Sequence, residues 1–240
     1  MNKFLIAFDL HDQFQDHKTV DAFLRFNKSF KPDIRICGGD IFDLTSLRHG
    51  AGRGDLDVSL AHGFELGEDF IKQFKPTVGM FGNHEDRLDR IIRDGSGPSK
   101  EYAGIIMDSV LQVYRGVGAR VLRYNKRDYY QLADYRVIHG YHCGGNALRQ
   151  HAIAYGGKVI HGHTHAPGSY TIPSIDGATS YSAPCMCQLD YEYNKKMTAT
   201  LSHKNGWIYG TIVNGRCDIR MAIKDEETGA FLCATTFKEF

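Results

Sequence analysis

Five short patches of Gly, His, Asp and Asn occur in the first 165 residues, and four of them precede or follow a stretch that predicts a β-strand. The patches are Asp9-Leu10-His11, Gly39-Asp40-Ile41-Phe42-Asp43, Gly82-Asn83-His84-Glu85, His139-Gly140 and Gly162-His163-Thr164-His165. Because strand–helix repetition gathers ligands at the carboxyl ends of the strands, we expect these patches to converge at one sheet edge. Imidazole, carboxylate and amide ligands in that number exceed the needs of one metal ion. The pattern predicts a two-metal hydrolytic site.

The size and composition of the chain predict one globular domain spanning residues 1–240. A hydrophobic content of 42% and a charged content of 24% are ordinary for such a domain. The formal net charge of +1 argues against a general electrostatic attraction to nucleic acid, although it is compatible with a local basic patch. No apolar run approaches the roughly 18 residues of a membrane span, and the N-terminal run meets Asp9 too early for a signal peptide. We therefore expect no membrane association.

The cysteine pattern predicts free thiols and a cytoplasmic location. Six cysteines are spread along the chain without the spacing of a disulfide framework. Cys185-Met186-Cys187 has the wrong spacing for a zinc knuckle, and the sequence holds no second Cys pair to complete one. We expect no structural zinc site.

The apolar pattern predicts alternating strands and helices up to about residue 165. The expected strands are residues 4–9, 34–37, 77–81, 136–139 and 158–161. Helices are expected at about residues 58–74, from 98 to about 116, and at 146–155.

Beyond Pro167 the sequence changes character. Strand-like alternation occurs at residues 170–175, 207–213 and 217–223, and the Asn214-Gly215 pair between the last two is a strong hairpin signal. We expect this C-terminal part to form a second, mainly antiparallel sheet that packs on the first.

The side chains in the patches offer donors that suit hard and borderline metal ions. Asp9 and His11, two residues apart, face the same side where a strand ends, and the Asp40 carboxylate can bridge two cations. Asn83 offers a neutral amide oxygen. Three further histidines can bind as neutral imidazoles, namely His139, His163 and His165. Any one of these residues alone is more often a helix cap or a core histidine, but their joint occurrence at strand ends favours a metal site.

The motif order Asp-x-His, Gly-Asp-x-x-Asp, Gly-Asn-His-Glu, His-Gly and Gly-His-x-His resembles the calcineurin-like metallophosphoesterase superfamily. The resemblance covers residues 9–165, and all five motifs are present. It implies an α/β fold in which two mixed β-sheets form a sandwich flanked by helices, with the metals at one sheet edge. It also implies a metal-dependent hydrolase of phosphoric esters.

The resemblance assigns a role to each motif residue. One metal ion would be held by Asp9, His11, Asp40 and His165. The second would be held by Asp40, Asn83, His139 and His163, so that Asp40 bridges the two ions. His84 would lie beside the scissile phosphate without binding metal, and Asp43 would orient it.

Two-metal chemistry suits this set of ligands. Two cations about 3.5–4 Å apart lower the pKa of a bridging water, and the resulting hydroxide attacks phosphorus in line with the leaving oxygen. His84, as imidazolium, would donate to a phosphate oxygen or to the leaving group, which is typically worth about 10²–10⁴-fold in rate. Mn²⁺ is the expected metal, with Fe, Zn²⁺ or Ni²⁺ as alternatives.

The expected substrate is a phosphodiester, either a nucleic acid or a nucleotide. No cap domain interrupts the chain, so the site should be open, and thirteen tyrosines supply surfaces on which bases can stack. Five residues in or near the motifs are candidate substrate contacts, namely Arg48, His49, Arg53, Arg87 and His142.

The alternatives are a phosphomonoesterase or protein phosphatase and a non-catalytic scaffold. Protein phosphatases of the superfamily read Asp-Arg-Gly where this chain reads Asp43-Leu44-Thr45, so their phosphate-gripping arginine is missing at that place. A lipid-precursor pyrophosphatase carries Arg at the position of His84. Scaffold members have lost motif histidines that this chain retains.

Overall fold

Two β-sheets face each other across an apolar layer, and helices cover the outer side of the first sheet. The structure is a computed structural model that describes residues 1–175, 177–189, 198–233 and 238–239. The strands are β1 (Asn2–Ala7), β2 (Ile34–Cys37), β3 (Val78–Met80), β4 (Arg120–Leu122), β5 (Tyr130–Leu132), β6 (Tyr135–Ile138), β7 (Val159–His161), β8 (Gly168–Thr171), β9 (Thr179–Ser182), β10 (Gly206–Val213), β11 (Arg216–Ile223), β12 (Leu232–Cys233) and β13 (Lys238–Glu239). The helices are α1 (His17–Phe30), α2 (Arg53–Leu56), α3 (Leu60–Phe74), α4 (Asp86–Asp94), α5 (Gly97–Gly116) and α6 (Ala147–Ala154).

The first sheet has six strands in the order β11-β10-β1-β2-β3-β4. Strands β1 to β4 run parallel, and the chain crosses between the first three through α1 and α3. Parallel strands joined by crossovers end at the same edge. The residues that follow β1, β2 and β3 therefore lie side by side.

The second sheet has five strands in the order β5-β6-β7-β9-β8. Its three central strands, β6, β7 and β9, are parallel, and the two outer strands are antiparallel to their neighbours. Helix α6 packs against β8 and β9. The two mixed sheets and their helices confirm the expected α/β sandwich.

Strand β1 shows why the apolar run at the N-terminus is continuous. Leu5 and Ala7 face the helices in a layer that includes Phe23 and Trp207, whereas Phe4 and Ile6 face the second sheet. Successive side chains of a strand point to opposite faces, so a strand that is covered on both faces needs apolar residues at every position.

The expectation for the C-terminal part is wrong in its assignment of strands to sheets. Strands β10 and β11 do not form the second sheet; they extend the first, where β10 pairs antiparallel with β1 in a register that sets Asn2 opposite Ile212. The free edge of β1 is available because the crossover connections place β2 on its other side. The expected hairpin is present, with both Asn214 and Gly215 at positive φ as a two-residue turn requires.

Helix α4, which directly follows the third patch, is not anticipated by the apolar pattern. Its nine residues include six charged ones, and Leu88 is its only fully buried side chain. Such a helix carries too few apolar positions to show a clear period.

No helix in the described ranges is both long and apolar enough to cross a membrane. The cytoplasmic location stays a prediction.

Candidate metal centre

The loops that follow five strands meet at one end of the two sheets. Residues after β1, β2 and β3 arrive from the first sheet, and residues after β6 and β7 arrive from the second. These loops carry all seven residues that were expected to bind metal. The seven side chains lie together in one cluster.

Asp40 lies at the middle of the cluster, with its side chain only 2% exposed. Its Oδ2 atom is 3.2 Å from His139 Nε2, 3.7 Å from His84 Nε2 and 4.0 Å from His11 Nε2. Its Oδ1 atom accepts a hydrogen bond of 2.9 Å from the backbone N–H of His84. One carboxylate therefore faces donor atoms on several sides.

One group of donors lies around His11 and His165, whose Nε2 atoms are 3.3 Å apart. Asp9 Oδ1 is 3.7 Å from His165 Nε2. The carboxylate of Asp9 also accepts a hydrogen bond of 2.9 Å from the backbone N–H of His163, which joins the first motif to the last.

A second group of donors lies around His139. Its Nε2 atom is 3.2 Å from Asn83 Oδ1, and ligand atoms of Asp40, His139 and His163 all lie within 4.8 Å of one another. Its Nδ1 atom contacts the carbonyl oxygen of Gly38 at 3.1 Å. A ring that donates its Nδ1–H to a carbonyl presents Nε2 as a neutral donor toward the cluster.

Asp43 contacts two histidines. Its Oδ2 atom is 2.7 Å from His11 Nδ1 and 3.0 Å from His84 Nδ1. The sequence predicts that Asp43 orients His84. In the structure the same oxygen of Asp43 also contacts His11, so it orients both rings. Both rings consequently turn their Nε2 atoms toward Asp40.

Among the five expected substrate contacts, Arg87 lies at the cluster. Its guanidinium donates to the carbonyl oxygen of Asp43, lies 3.2 Å from His84 Nε2 and is 13% exposed. Arg48 forms an exposed ion pair with Asp55. Burial lowers the pKa of the Arg87 guanidinium, and the positive charge of Arg48 lowers it further.

The other three expected contacts lie at the surface. His49 is exposed in the loop that follows the second motif, and Arg53 is exposed at the first residue of α2. His142 is exposed and packs on His151, with ring centroids 4.9 Å apart. Their proposed contact with substrate stays a prediction.

Backbone strain is concentrated in these loops. Of the seven expected ligands, five have a positive φ, namely Asp9, His11, Asp40, His163 and His165. Residues other than glycine adopt this conformation at a cost and keep it only where surrounding contacts impose it, and such residues cluster at functional sites.

Two motif glycines permit the close approach of the loops. A Cβ atom on Gly39, whose φ is +105°, would lie 2.5 Å from His139 Nδ1. A Cβ atom on Gly82 would overlap the carboxylate of Asp40. These positions need glycine because the adjacent loops occupy the space of a side chain.

The pKa shifts show ion pairing inside the cluster. Burial lowers the pKa of His139, but the neighbouring carboxylates of Asp40 and Asp9 outweigh it and raise the pKa to about 9. Burial raises the pKa of Asp40, but His139 and His84 hold it well below its usual range. Burial and the charge of His139 lower the pKa of His163 to about 4. His139 is thus the main electrostatic partner of Asp40.

The fold built around this cluster matches that of solved structures. Vps29 from Entamoeba histolytica, solved in complex with Zn²⁺, aligns over 94% of this chain and 94% of its own, with a TM-score of 0.50 and 11% identity. The chain has the calcineurin-like metallophosphoesterase fold. Two weaker matches are also found. The phosphoesterase Yfce from E. coli aligns over 96% of this chain and 97% of its own, with a TM-score of 0.44 and 10% identity. A dimetal phosphatase from Danio rerio aligns over 93% of this chain and 95% of its own, with a TM-score of 0.41 and 13% identity. No protein-family model and no curated protein matches the sequence.

Two residues beside the candidate metal ligands escaped the sequence analysis. Cys187 lies 3.7 Å from His165 Nδ1, and ligand atoms of His11, His165 and Cys187 lie within 4.8 Å of one another. Cys187 belongs to none of the five motifs. Backbone hydrogen bonds from Met186 to Asp9 and from Gln188 to Phe14 bring it near them. Tyr124 packs edge-on against His139 at 5.8 Å and donates a hydrogen bond of 2.7 Å to the carbonyl oxygen of Gly140.

The third overlooked role belongs to Glu85, a fully buried residue of the Gly-Asn-His-Glu motif. Its Oε1 atom accepts hydrogen bonds from the N–H groups of Ile41 and Phe42 at 2.7 and 2.9 Å. Its Oε2 atom accepts from the N–H groups of Asp40 and Gly82 at 3.1 and 2.8 Å. One carboxylate therefore ties the loop after β2 to the loop after β3 and fixes the backbone of Asp40.

Replacing Glu85 with glutamine tests this role. The amide has one oxygen, so two of the four buried N–H groups would face an NH₂ group and lose their acceptor. An unsatisfied buried donor costs about 1–3 kcal/mol, so we expect Glu85→Gln to lower the free energy of unfolding by at least about 2 kcal/mol. The measurement is chemical denaturation, with the exposed Glu101→Gln on α5 as the matched control. Equal stability of the two variants would contradict the role.

Proposed function

We propose that this chain is a two-metal phosphodiesterase. The observation that carries the proposal is the position of Asp40, whose carboxylate lies between the donors around His11 and those around His139. A single bridging carboxylate flanked by two such groups is what a dinuclear centre requires.

The proposed ligands follow from this arrangement. We assign one ion to Asp9, His11, Asp40 and His165, and the other to Asp40, Asn83, His139 and His163. Carboxylate, amide and imidazole donors fit Mn²⁺, which we propose as the metal, with Fe, Zn²⁺ and Ni²⁺ as alternatives. When bound, a pair of such ions activates a water molecule and neutralises charge on the phosphoryl oxygens.

We propose that His84 acts on the substrate. Asp43 contacts its Nδ1 atom, so the ring presents Nε2 beside Asp40 and Arg87. Burial lowers the pKa of His84, but Asp40 and Asp43 outweigh burial and raise it. His84 can therefore carry a proton to the leaving oxygen or donate to a phosphate oxygen, while the Arg87 guanidinium holds the phosphate next to it.

The surroundings of the centre favour a nucleotide diester. Tyr124 packs against His139 and stacks on Tyr141, with ring centroids 4.7 Å apart and an interplanar angle of 24°. Aromatic rings beside a phosphate site offer surfaces for bases.

Hydrolysis of a generic diester tests the proposal. With Mn²⁺, the protein should hydrolyse bis-p-nitrophenyl phosphate faster than p-nitrophenyl phosphate, and EDTA should abolish the activity. Activity that survives exhaustive chelation would rule out the metal mechanism. A monoester preference of orders of magnitude would identify a phosphatase, and inactivity of the metal-loaded protein on both esters would identify a scaffold.

Removal of the bridging charge should affect both ions. We expect Asp40→Asn to reduce bound metal more than any other single change of ligand, because its carboxylate serves both sites. The content is measured by elemental analysis after gel filtration, and the exposed Asp108→Asn on α5 is the matched control. Two metal ions per chain in Asp40→Asn would contradict the bridging role.

His84→Ala should keep both metals and lose rate, since the proposed role lies in the transition state. A loss of about 10²–10⁴-fold in kcat is expected for a general acid. The deficit should shrink for diesters with better leaving groups; a constant deficit would mean that His84 binds a non-bridging oxygen. The exposed His62→Ala on α3 controls for loss of an imidazole. If the His84→Ala variant binds one metal ion fewer per chain than the wild type, His84 is a metal ligand instead.

A further inference from the structure

A cavity of about 420 Å³ combines cationic and aromatic side chains next to the metal centre. It is lined by Lys126, Arg127, Tyr141, His142, Ala154 and Tyr155. None of these residues belongs to the proposed metal ligands.

The cavity adjoins the centre along the chain and through space. Tyr141 follows His139 by two residues, so their Cα atoms lie within about 7.6 Å of each other. Tyr124 bridges the two, because its ring contacts His139 on one side and stacks on Tyr141 on the other. A substrate bound at the centre can therefore extend into the cavity.

The cationic wall of the cavity is held by a turn at Asn125. The side-chain oxygen of Asn125 accepts a hydrogen bond of 3.0 Å from the backbone N–H of Arg127. The backbone carbonyl oxygen of Asn125 accepts one of 2.8 Å from the backbone N–H of Asp128. The Tyr155 hydroxyl donates to the carbonyl oxygen of Lys126 at 2.9 Å. Lys126 and Arg127 thus project from a backbone that is fixed on both sides.

The aromatic wall is held by His151. Its Nε2 atom accepts hydrogen bonds from the N–H groups of Tyr141 and His142, at 2.7 and 3.1 Å. Burial, with the nearby His161, lowers the pKa of His151 to about 2, so the ring stays a neutral acceptor.

The two cations are available to an anion. Lys126 and Arg127 are both exposed, and none of the carboxylates in the described ranges lies within 4.0 Å of either charged group. In a chain of net charge +1, such a pair is a local basic patch.

We propose that this cavity binds the nucleotide next to the scissile bond in a single-stranded nucleic acid. The inference rests on the proposed phosphodiesterase function and names its substrate class. Lys126 and Arg127 contact the flanking phosphate, and the base lies against the Tyr141 ring. Cations that follow the backbone beside an aromatic platform are the elements that bind single strands. A duplex keeps its bases stacked on one another and offers Tyr141 no free face.

Binding of a hexanucleotide with hydrolysis-resistant phosphorothioate linkages tests the cations. Fluorescence anisotropy on the metal-loaded protein measures Kd over a range of salt concentrations. Each phosphate contact on a single strand adds about 0.7 to the steepness of log K against log salt. Because Lys126 and Arg127 contact the same flanking phosphate, the double variant Lys126→Ala/Arg127→Ala should reduce that steepness by about 0.7. The matched control is Arg25→Ala/Lys28→Ala, which removes two exposed charges from α1.

Substitution of Tyr141 tests the stacking surface. We expect Tyr141→Leu to weaken binding by about 5- to 150-fold, the range that corresponds to loss of one stacked base, whereas Tyr141→Phe keeps the ring and most of the affinity. Thermal unfolding of each variant checks that the fold is retained. If Leu and Phe variants bind equally, the stacking assignment is wrong.

The outcomes separate this inference from the proposed function. One outcome is that the wild-type protein binds the hexanucleotide through Lys126 and Arg127 and yet hydrolyses no diester. That result would refute the proposed phosphodiesterase activity, and the nucleotide-binding role of the cavity would stand. A wild-type protein that hydrolyses the small diester, while the double variant keeps the affinity and salt slope of the Arg25/Lys28 control, would refute the cavity. Tighter binding of a duplex than of the single strand would refute it as well. In support, the double variant should lose at least about tenfold more kcat/KM on an oligonucleotide than on the small diester.

Discussion

The buried carboxylate of Glu85 is the contact on which the geometry of the centre depends. It accepts hydrogen bonds from four backbone N–H groups of the loops that follow β2 and β3. With those N–H groups satisfied, Asp40 can hold its strained backbone at a φ of 51°. The carboxylate of Asp40 then reaches both His11 and His139. Removal of Glu85 would leave four buried N–H groups of these two loops, that of Asp40 included, without this acceptor.

The acidic side chains around the centre divide into two kinds by their surroundings. Glu85 and Asp12 accept hydrogen bonds from the backbone, and burial raises the pKa of both. Asp9, Asp40 and Asp43 face histidines, which lower their pKa values despite burial. The first kind shapes the loops, whereas the second kind stays ionised. Three ionised carboxylates buried together are stable only with cations beside them, which protonated histidines supply in the absence of metal and divalent ions would supply in the proposed enzyme.

The sequence predicts those parts of the molecule that local patterns determine. The strand before each motif, the two-sheet sandwich and the convergence of the seven expected ligands all follow from apolar runs and motif order. The sheet to which β10 belongs does not, because its alternation is the same whether it pairs with β1 or with a strand of the other sheet. Glu85 and Cys187 escape for the same reason, since their roles exist only through residues that are distant in sequence.

The central claim is that Asp40 bridges two metal ions. A crystal of the protein grown with Mn²⁺ and measured at an anomalous wavelength would show the ions directly. The account predicts two anomalous peaks about 3.5–4 Å apart, with a carboxylate oxygen of Asp40 about 2.0–2.2 Å from each. A single peak, or two peaks of which only one lies within bonding distance of Asp40, would contradict it.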